Sequence, residues 1–389
     1  MNRSLFLFLL FILFAFVPEY TIPASPVTRG NMFERTKDSL VTVRISFTGD
    51  LMCHVPQYEN SKGANGLYDF NPSFSYVKPY LQAADLTMGN LELTFAGTSI
   101  PYAGYPTFNA PDTYADAVKN AGFDFVVTAN NHSMDTEEKG LLRTLDILKK
   151  TGLGSTGTYN SQRDHDSVRV LNVKGIKLGV LNYTYGTNGA YPAADHRYML
   201  NVIDTLLIQH DITQARSQGA DLVLVYFHYG VENKSDPTDA QKLVVRKTEE
   251  YGADLIIGGH PHVISPVGFY KTKNAMLDSG LVAWSLGNFL SNQYHRYTDA
   301  GVIFTLTLTK NITKHTYLKP EAEYIPTWVY RATDPKMHRH IVLPAELSLQ
   351  DSVPFFIDAA SKLKMKEAFE DTKKEMSKYS PDIKLKSIR

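Results

Sequence analysis

The fold of this chain is decided by the stretch Gly258-Gly259-His260-Pro261-His262, which follows the short apolar run Asp254-Leu-Ile-Ile257. Such a run is typical of a buried strand. Glycine accepts backbone dihedral angles that other residues avoid, so the two glycines permit a tight turn. Two imidazoles two residues apart can face one site, and imidazole is a common metal ligand. The stretch therefore predicts a metal-binding turn; the alternative is a turn whose histidines only form hydrogen bonds.

The composition is that of a globular protein. The chain has 389 residues, of which 43% are hydrophobic and 21% charged. Forty basic residues balance forty acidic ones, so bulk charge gives no reason to expect a nucleic-acid partner. With one cysteine, Cys53, the chain cannot form an internal disulfide.

The N-terminus has the layout of an export segment. Arg3 gives a positive start, residues 5–17 form an unbroken apolar run, and Pro23-Ala24-Ser25-Pro26 follows. This pattern predicts a secretory signal over residues 1–25, with an uncleaved membrane anchor as the alternative. Either interpretation places the body of the protein outside the cytoplasm, either secreted, periplasmic or anchored to the membrane.

Strand patterns alternate with helical ones along the chain. Residues 57–75 and residues 95–111 are rich in Gly, Pro, Asn and Tyr and are predicted to be loops. Strands are predicted at 41–47, 85–88, 123–127, 168–172, 176–183, 221–227, 254–257, 282–286, 301–309 and 323–331, and helices at 76–83, 111–121, 138–150, 202–218, 240–251 and 351–378. Alternation of this kind, mixed with hairpins, predicts an α/β sandwich.

Polar residues of metal-ligand type follow one predicted strand after another. In α/β folds, ligands bind at the carboxyl ends of strands, so five strand ends are expected to bring these side chains to one rim. The predicted ligands are Asp50, Glu92, Asn131, His228, His260 and His262. Two carboxylates, one amide and three imidazoles suit a divalent metal of the Mn, Fe or Zn type rather than Ca.

A carboxylate can bridge two cations, so the set is suited to one or two ions. His132 follows the ligand Asn131 and is left over from the ligand set. It is therefore the candidate catalytic residue, a general acid for a leaving oxygen.

The motifs that contain these residues resemble, in order, those of the CapA family of capsule, or poly-gamma-glutamate, synthesis proteins, which is similar to the calcineurin-like metallophosphoesterases. Several ordered motifs are far more specific than one. They are Gly49-Asp50-Leu51-Met52, Asn90-Leu91-Glu92, Ala129-Asn130-Asn131-His132-Ser133-Met134-Asp135, His228-Tyr229-Gly230-Val231-Glu232, Gly258-Gly259-His260-Pro261-His262-Val263 and Ser285-Leu286-Gly287-Asn288-Phe289.

The resemblance runs from about residue 43 to 330 and implies a metallophosphoesterase-like sandwich of two mixed β-sheets flanked by helices (α/β/β/α). It implies a CapA-like domain over 41–330 and leaves 331–389 as a C-terminal extension with a helical tail. It also implies the metal-ligand roles given above and a catalytic role for His132.

The sequence departs from the phosphoesterase pattern at two positions. Phosphoesterases of this type carry Asp-x-His at the first strand, whereas this chain has Met52 there and Glu92 where an Asp is usual. The nearest histidine, His54, is expected to lie in a solvated loop rather than to reach the site. Asp135 and Glu232 are either partners that orient the imidazoles or exposed carboxylates at helix starts.

Two functions from different classes remain open. The first is an exported, metal-dependent hydrolase or transferase that acts on a polymer or phosphoester in the synthesis, export or anchoring of poly-gamma-glutamate capsule. The second is a non-catalytic accessory subunit of a membrane polymer synthase or exporter that keeps the pocket for binding.

Overall fold

The computed structural model describes residues 39–332, 340–351 and 353–388. The predicted signal or anchor at 1–25 lies outside these ranges. Within them, no helix combines the length and the apolar character needed to cross a membrane.

Sixteen strands are found in the described residues. In chain order they are β1 (Leu40–Leu51), β2 (Leu86–Leu91), β3 (Phe125–Val127), β4 (Gly154–Thr156), β5 (Arg169–Val173), β6 (Ile176–Thr184), β7 (Leu222–His228), β8 (Leu255–Gly259), β9 (Val267–Lys271), β10 (Ser279–Ala283), β11 (Asn288–Leu290), β12 (Ala300–Asn311), β13 (Thr316–Tyr317), β14 (Glu321–Arg331), β15 (His340–Pro344) and β16 (Lys384–Leu385).

The strands form two mixed sheets. The larger has the order β15-β14-β12-β1-β2-β3-β4, with β11, β13 and β16 paired to β1, β12 and β14. Strands β1 to β4 run parallel, whereas β12 is antiparallel to β1. The smaller has the order β5-β6-β7-β8-β10-β9. Its four central strands are parallel and its two edge strands antiparallel.

Eight α-helices lie in the described part of the chain. They are α1 (Val55–Ser61), α2 (Lys78–Leu81), α3 (Thr113–Ala121), α4 (Glu137–Thr151), α5 (Gln162–His165), α6 (Thr205–Ser217), α7 (Asp239–Glu250) and α8 (Ala359–Met376). Gly122 and Gly152 follow α3 and α4 in the left-handed conformation, which ends a helix without the steric cost of a Cβ atom.

The core is layered, and β7 shows why. Successive side chains of a strand point to opposite faces. Leu224 and Tyr226 join the cluster between the sheets, which also holds Ile45 and Phe47 of β1. Val225 belongs instead to a cluster that contains residues of α6 and α7. A third cluster packs α3 and α4 against the other face of the larger sheet. The predicted arrangement, two mixed sheets flanked by helices, is confirmed.

Several local predictions were wrong. Residues 55–61 form a helix and not part of a loop. One face of α8, in the C-terminal extension, buries Met365, Ala368, Phe369, Thr372 and Met376. The sequence did not predict strands β4, β9, β11, β13, β15 and β16. The hairpin of β5 and β6 was predicted correctly, and Val173 of β5 lies opposite Ile176 of β6.

Candidate functional site

The carboxyl ends of parallel strands from both sheets meet at one place. Asp50 is the second-to-last residue of β1, His228 ends β7, and the stretch from His260 to His262 follows β8. Glu92 and Asn131 follow β2 and β3 in the larger sheet. The six predicted ligands come from these five strand ends, and the side chain of each is buried, at 4% exposure or less. The fold thus brings together residues separated by more than 200 positions.

The turn after β8 requires its unusual composition. A Cβ atom at Gly258 would lie 2.1 Å from the carbonyl oxygen of Trp284, so no larger residue fits there. His260 and His262 adopt positive φ angles of 96° and 58°. Non-glycine residues rarely adopt such angles, and strain of this kind clusters at functional sites. The backbone is therefore held in a costly conformation that aims both imidazoles at the strand ends.

Short contacts join the side chains across the two sheets. Asp50 Oδ2 lies 3.0 Å from His262 Nδ1. Asn131 Oδ1 lies 2.6 Å from His228 Nε2. Glu92 Oε1 lies between two imidazoles, 3.6 Å from His228 Nε2 and 3.8 Å from His262 Nε2.

The donor atoms form three overlapping groups, in each of which the atoms lie within 4.8 Å of one another. The first contains Glu92, His228 and His260, and the second Asp50, Glu92 and His262. Glu92 is common to both, which is the arrangement expected of a carboxylate that bridges two ions. The third group contains Glu232, His260 and His262.

The buried ligand atoms of this cluster are better suited to binding a divalent cation than to forming hydrogen bonds with one another. Among the described residues, Glu92 Oε1 and His260 Nδ1 are buried and have no hydrogen-bond partner. Buried polar atoms without partners are rare and costly. The distances from Glu92 Oε1 to the two Nε2 atoms are too long for hydrogen bonds. They approach the separation of about 3.4 Å between ligands bound tetrahedrally at roughly 2.1 Å from one ion.

Burial controls the charge of the cluster. It raises the pKa of Glu92 well above its usual range, and Asp50 raises it further. Burial also lowers the pKa of His228 well below its usual range and that of His260 to about 4. Burial would lower the pKa of His262 too, but Glu92 and Asp50 outweigh it and raise this pKa to about 9. Two of the three imidazoles are thus held neutral, which is the form that binds metals.

His132 is held by a carboxylate next to the cluster. Asp135 Oδ2 lies 2.7 Å from His132 Nδ1 and also accepts a hydrogen bond of 2.6 Å from the backbone N–H of Phe108. The Phe108 ring meets the imidazole edge-on at 4.6 Å. Of the two interpretations of Asp135, the structure supports the partner that orients an imidazole. This contact occupies Nδ1, and Nε2 of His132 lies 3.4 Å from Asn188 Nδ2.

The expectation that His54 lies in a solvated loop was wrong. His54 is partly buried at the start of α1, and its ring meets that of Phe108 at 5.0 Å. Its Nδ1 lies 3.1 Å from Gln57 Oε1. Burial lowers its pKa to about 4. His54 is thus a packed, neutral imidazole, and the Phe108 ring contacts both His54 and His132.

Asn90 is a central residue that the sequence did not single out. Its Nδ2 atom lies 2.8 Å from Asp50 Oδ1 and 3.1 Å from His228 Nδ1, so it links a carboxylate of one sheet to an imidazole of the other. Its Oδ1 atom accepts a hydrogen bond of 3.3 Å from Asn130. The signal was its position two residues before Glu92, which places a second polar group on the same face of the chain.

Two further residues line the cluster. Asn288 Oδ1 lies 3.1 Å from His262 Nδ1, so this asparagine lines the site and does not serve only in a turn. The ring of Tyr185 lies 4.6 Å from that of His260 and is nearly parallel to that of His228. Tyr185 is 45% exposed, so it marks the side on which the site opens to solvent.

Comparison with known proteins gives a match over most of the chain. The profile of the family described as "Bacterial capsule synthesis protein PGA_cap" matches residues 44–293. The PGA biosynthesis protein CapA of Bacillus subtilis is 28% identical over 271 residues, 68% of this chain and 68% of that protein. The capsule biosynthesis protein CapA of Bacillus anthracis is 29% identical over 270 residues, 67% of this chain and 62% of that protein.

A solved structure with a related backbone is the calcineurin-like phosphoesterase YfkN from Bacillus subtilis. It has a TM-score of 0.41 and 11% sequence identity, and the similarity covers 86% of this chain and 98% of that one.

Proposed function

The chain belongs to the bacterial capsule synthesis protein family PGA_cap, and on this premise we propose that it acts in the synthesis, export or anchoring of a capsular polymer through a metal-dependent hydrolase or transferase site. Its similarity to two CapA proteins favours poly-gamma-glutamate as the polymer. The place of action is outside the cytoplasm, as the N-terminal segment predicts.

One observation carries the catalytic part of this proposal. Glu92 Oε1 has no hydrogen-bond partner among the described residues, although it is fully buried between His228 Nε2 and His262 Nε2. A carboxylate oxygen buried in this way is stabilised when a cation lies between it and the imidazoles. A purely structural cluster would use hydrogen bonds at this position.

The ligands in this proposal are Asp50, Glu92, Asn131, His228, His260 and His262, which would hold one or two divalent ions of the Mn, Fe or Zn type. Such an ion, when bound, supplies Lewis-acid polarisation of a phosphoryl or acyl oxygen and lowers the pKa of a coordinated water. Asn90 and Asn288 orient the side chains around it through contacts with Asp50, His228 and His262.

His132 supplies the proton in this mechanism. Asp135 accepts a hydrogen bond from Nδ1, so the protonated ring presents its Nε2–H to the leaving oxygen of the substrate. The carboxylate also stabilises the positive charge of that ring. Burial of both side chains excludes water from the contact, which keeps the imidazole in one orientation.

The test is an assay of the purified protein with Mn²⁺ against a generic phosphodiester and against poly-gamma-glutamate, accompanied by elemental analysis. We expect metal in the natural protein, turnover of one substrate, and loss of metal from His260→Ala. Natural protein that binds none of Mn, Fe or Zn would contradict the proposed site.

A second candidate function rests on Met52. This buried methionine stands where phosphoesterases of this type have a ligand histidine, and its sulfur lies 3.7 Å from Ser291 Oγ. A site with one imidazole fewer suits an accessory subunit that binds ions or substrate without turnover. Normal metal content with no turnover of either substrate, and a capsule that is unaffected by His132→Ala, would favour this function.

A further inference from the structure

Glu232 is held beside the two histidines of the β8 turn by a backbone connection. The segment after β7 pairs with that turn twice. The N–H of Tyr229 donates to Gly259 at 3.1 Å, and the N–H of Asn233 donates to Pro261 at 2.8 Å. Asn233 adopts a positive φ of 62°, which turns the chain immediately after Glu232. The position of this carboxylate is therefore fixed by the same backbone that fixes His260 and His262.

The carboxylate of Glu232 reaches the histidines from the solvent side. One of its oxygens lies within 4.8 Å of a ring nitrogen of His260 and of His262. Glu232 is exposed, and no hydrogen bond or ion pair joins its side chain to another residue in the described ranges. Its position is explained neither by an ion pair nor by the capping of a helix.

A second observation points to a missing ligand at this place. His260 Nδ1 is buried and has no hydrogen-bond partner in the described part of the chain, and the same holds for Glu92 Oε1. The group of Asp50, Glu92 and His262 supplies three donors. Zinc-type sites hold four ligands, and the histidine expected at position 52 is replaced by Met52.

We propose that Glu232 is a direct metal ligand that closes the ion site on its solvent side. Together with His260 and His262 it gives the second ion the carboxylate and two imidazoles that divalent transition metals prefer. This inference rests on the proposed metal site and is independent of whether that site catalyses a reaction.

The experiment compares the natural protein with Glu232→Gln, Glu232→His and the control Asp236→Asn. Asp236 lies four residues further along the same segment and pairs with Lys378 at 2.6 Å, so its variant makes the same change of charge away from the histidines. Each protein is stripped with chelator and titrated with Co²⁺ and Mn²⁺. The number of ions per chain, their affinity and the visible Co²⁺ spectrum are recorded, with a thermal melt to verify folding.

We expect Glu232→Gln to bind one ion about tenfold or more weakly and to change the Co²⁺ spectrum, because the coordination sphere loses an oxygen. Glu232→His, which is neutral yet able to coordinate, should recover most of that affinity, whereas Asp236→Asn should match the natural protein. Unchanged stoichiometry and spectrum in Glu232→Gln would overturn the proposal for Glu232 alone. An unchanged Co²⁺ spectrum, together with an equal fall in affinity in Glu232→Gln and Glu232→His, would show that Glu232 acts only through its charge. This result would overturn direct ligation. Natural protein that binds neither ion would overturn this inference and the proposed function together.

Discussion

Asp50 Oδ2 lies 3.0 Å from His262 Nδ1, although the two residues are 212 positions apart, one in β1 of the larger sheet and the other in the turn that follows β8 of the smaller sheet. This contact closes the rim on which the other four ligands predicted from the sequence lie. Both side chains are nearly or fully buried, so a cluster of charged groups lies at this rim, beside the apolar cluster that packs between the two sheets. Stability and ion binding are therefore expected to be coupled at this point.

Ion binding should stabilise the folded protein. A ligand that binds only the native state adds RT ln(1 + [L]/Kd), which is about 2.7 kcal/mol at a free concentration of 100 Kd. We expect chelator to lower the melting temperature and added Mn²⁺ or Zn²⁺ to raise it again, as measured by scanning calorimetry.

His260→Ala should abolish this shift, and His210→Ala should keep it, because the side chain of His210 is exposed and, within the described residues, its ion pair is with the adjacent Asp211. A melting temperature that none of Mn, Fe or Zn alters in the natural protein would argue against the ion site.

Loss of His132 should separate chemistry from ion binding. Because general acid catalysis contributes about 10²- to 10⁴-fold, His132→Ala should lower kcat by that order while the metal content stays that of the natural protein. Steady-state kinetics and elemental analysis of the same preparation measure both quantities. Full activity in this variant would remove His132 from the mechanism.

The sequence allowed us to predict that these six side chains lie together, because the parallel strands that they follow end at one edge. It did not single out Asn90, although the position of this residue two places before Glu92 puts both polar side chains on the same face of the chain. Helix α1 was missed because Pro56 and Asn60 are typical of turns, whereas Pro at the first turn of a helix is also favourable. Whether Glu232 faces solvent or the histidines depends on backbone pairing between distant segments, which no local pattern encodes.

The buried face of α8 can be tested with a pair of phenylalanines in the C-terminal extension. Phe369 is 2% exposed and belongs to the main core, whereas Phe355 is 92% exposed. Truncation of a buried Phe costs about 3–5 kcal/mol, so Phe369→Ala should lower the free energy of unfolding by that order in urea titrations. Phe355→Ala should change it by about 0.5 kcal/mol or less. Equal effects of the two substitutions would mean that α8 does not pack as described.

Asp299, which is not one of the proposed ligands, gives the protein a pH-dependent stability. Burial raises the pKa of its carboxyl to about 6, although Oδ2 accepts a hydrogen bond of 2.8 Å from Trp328 Nε1. On α8, Lys364 opposes this shift and Glu367 adds to it. The ordinary pKa of an aspartate, 3.8, represents the unfolded chain, so between about pH 4 and 6 the folded state binds more protons than the unfolded one.

The stability that this proton contributes is therefore complete below pH 4 and is lost as the pH rises through 6. A shift of two pKa units corresponds to roughly 2–3 kcal/mol. Asp299→Asn keeps an oxygen acceptor for Trp328 and removes the buried charge, so it should unfold at higher urea concentration than the natural protein at pH 8. The two proteins should be nearly equal at pH 4. Asp195→Asn, at an exposed position, should follow the natural protein at both values, and an Asp299→Asn variant that is less stable at pH 8 would show that the charged carboxylate is favourable.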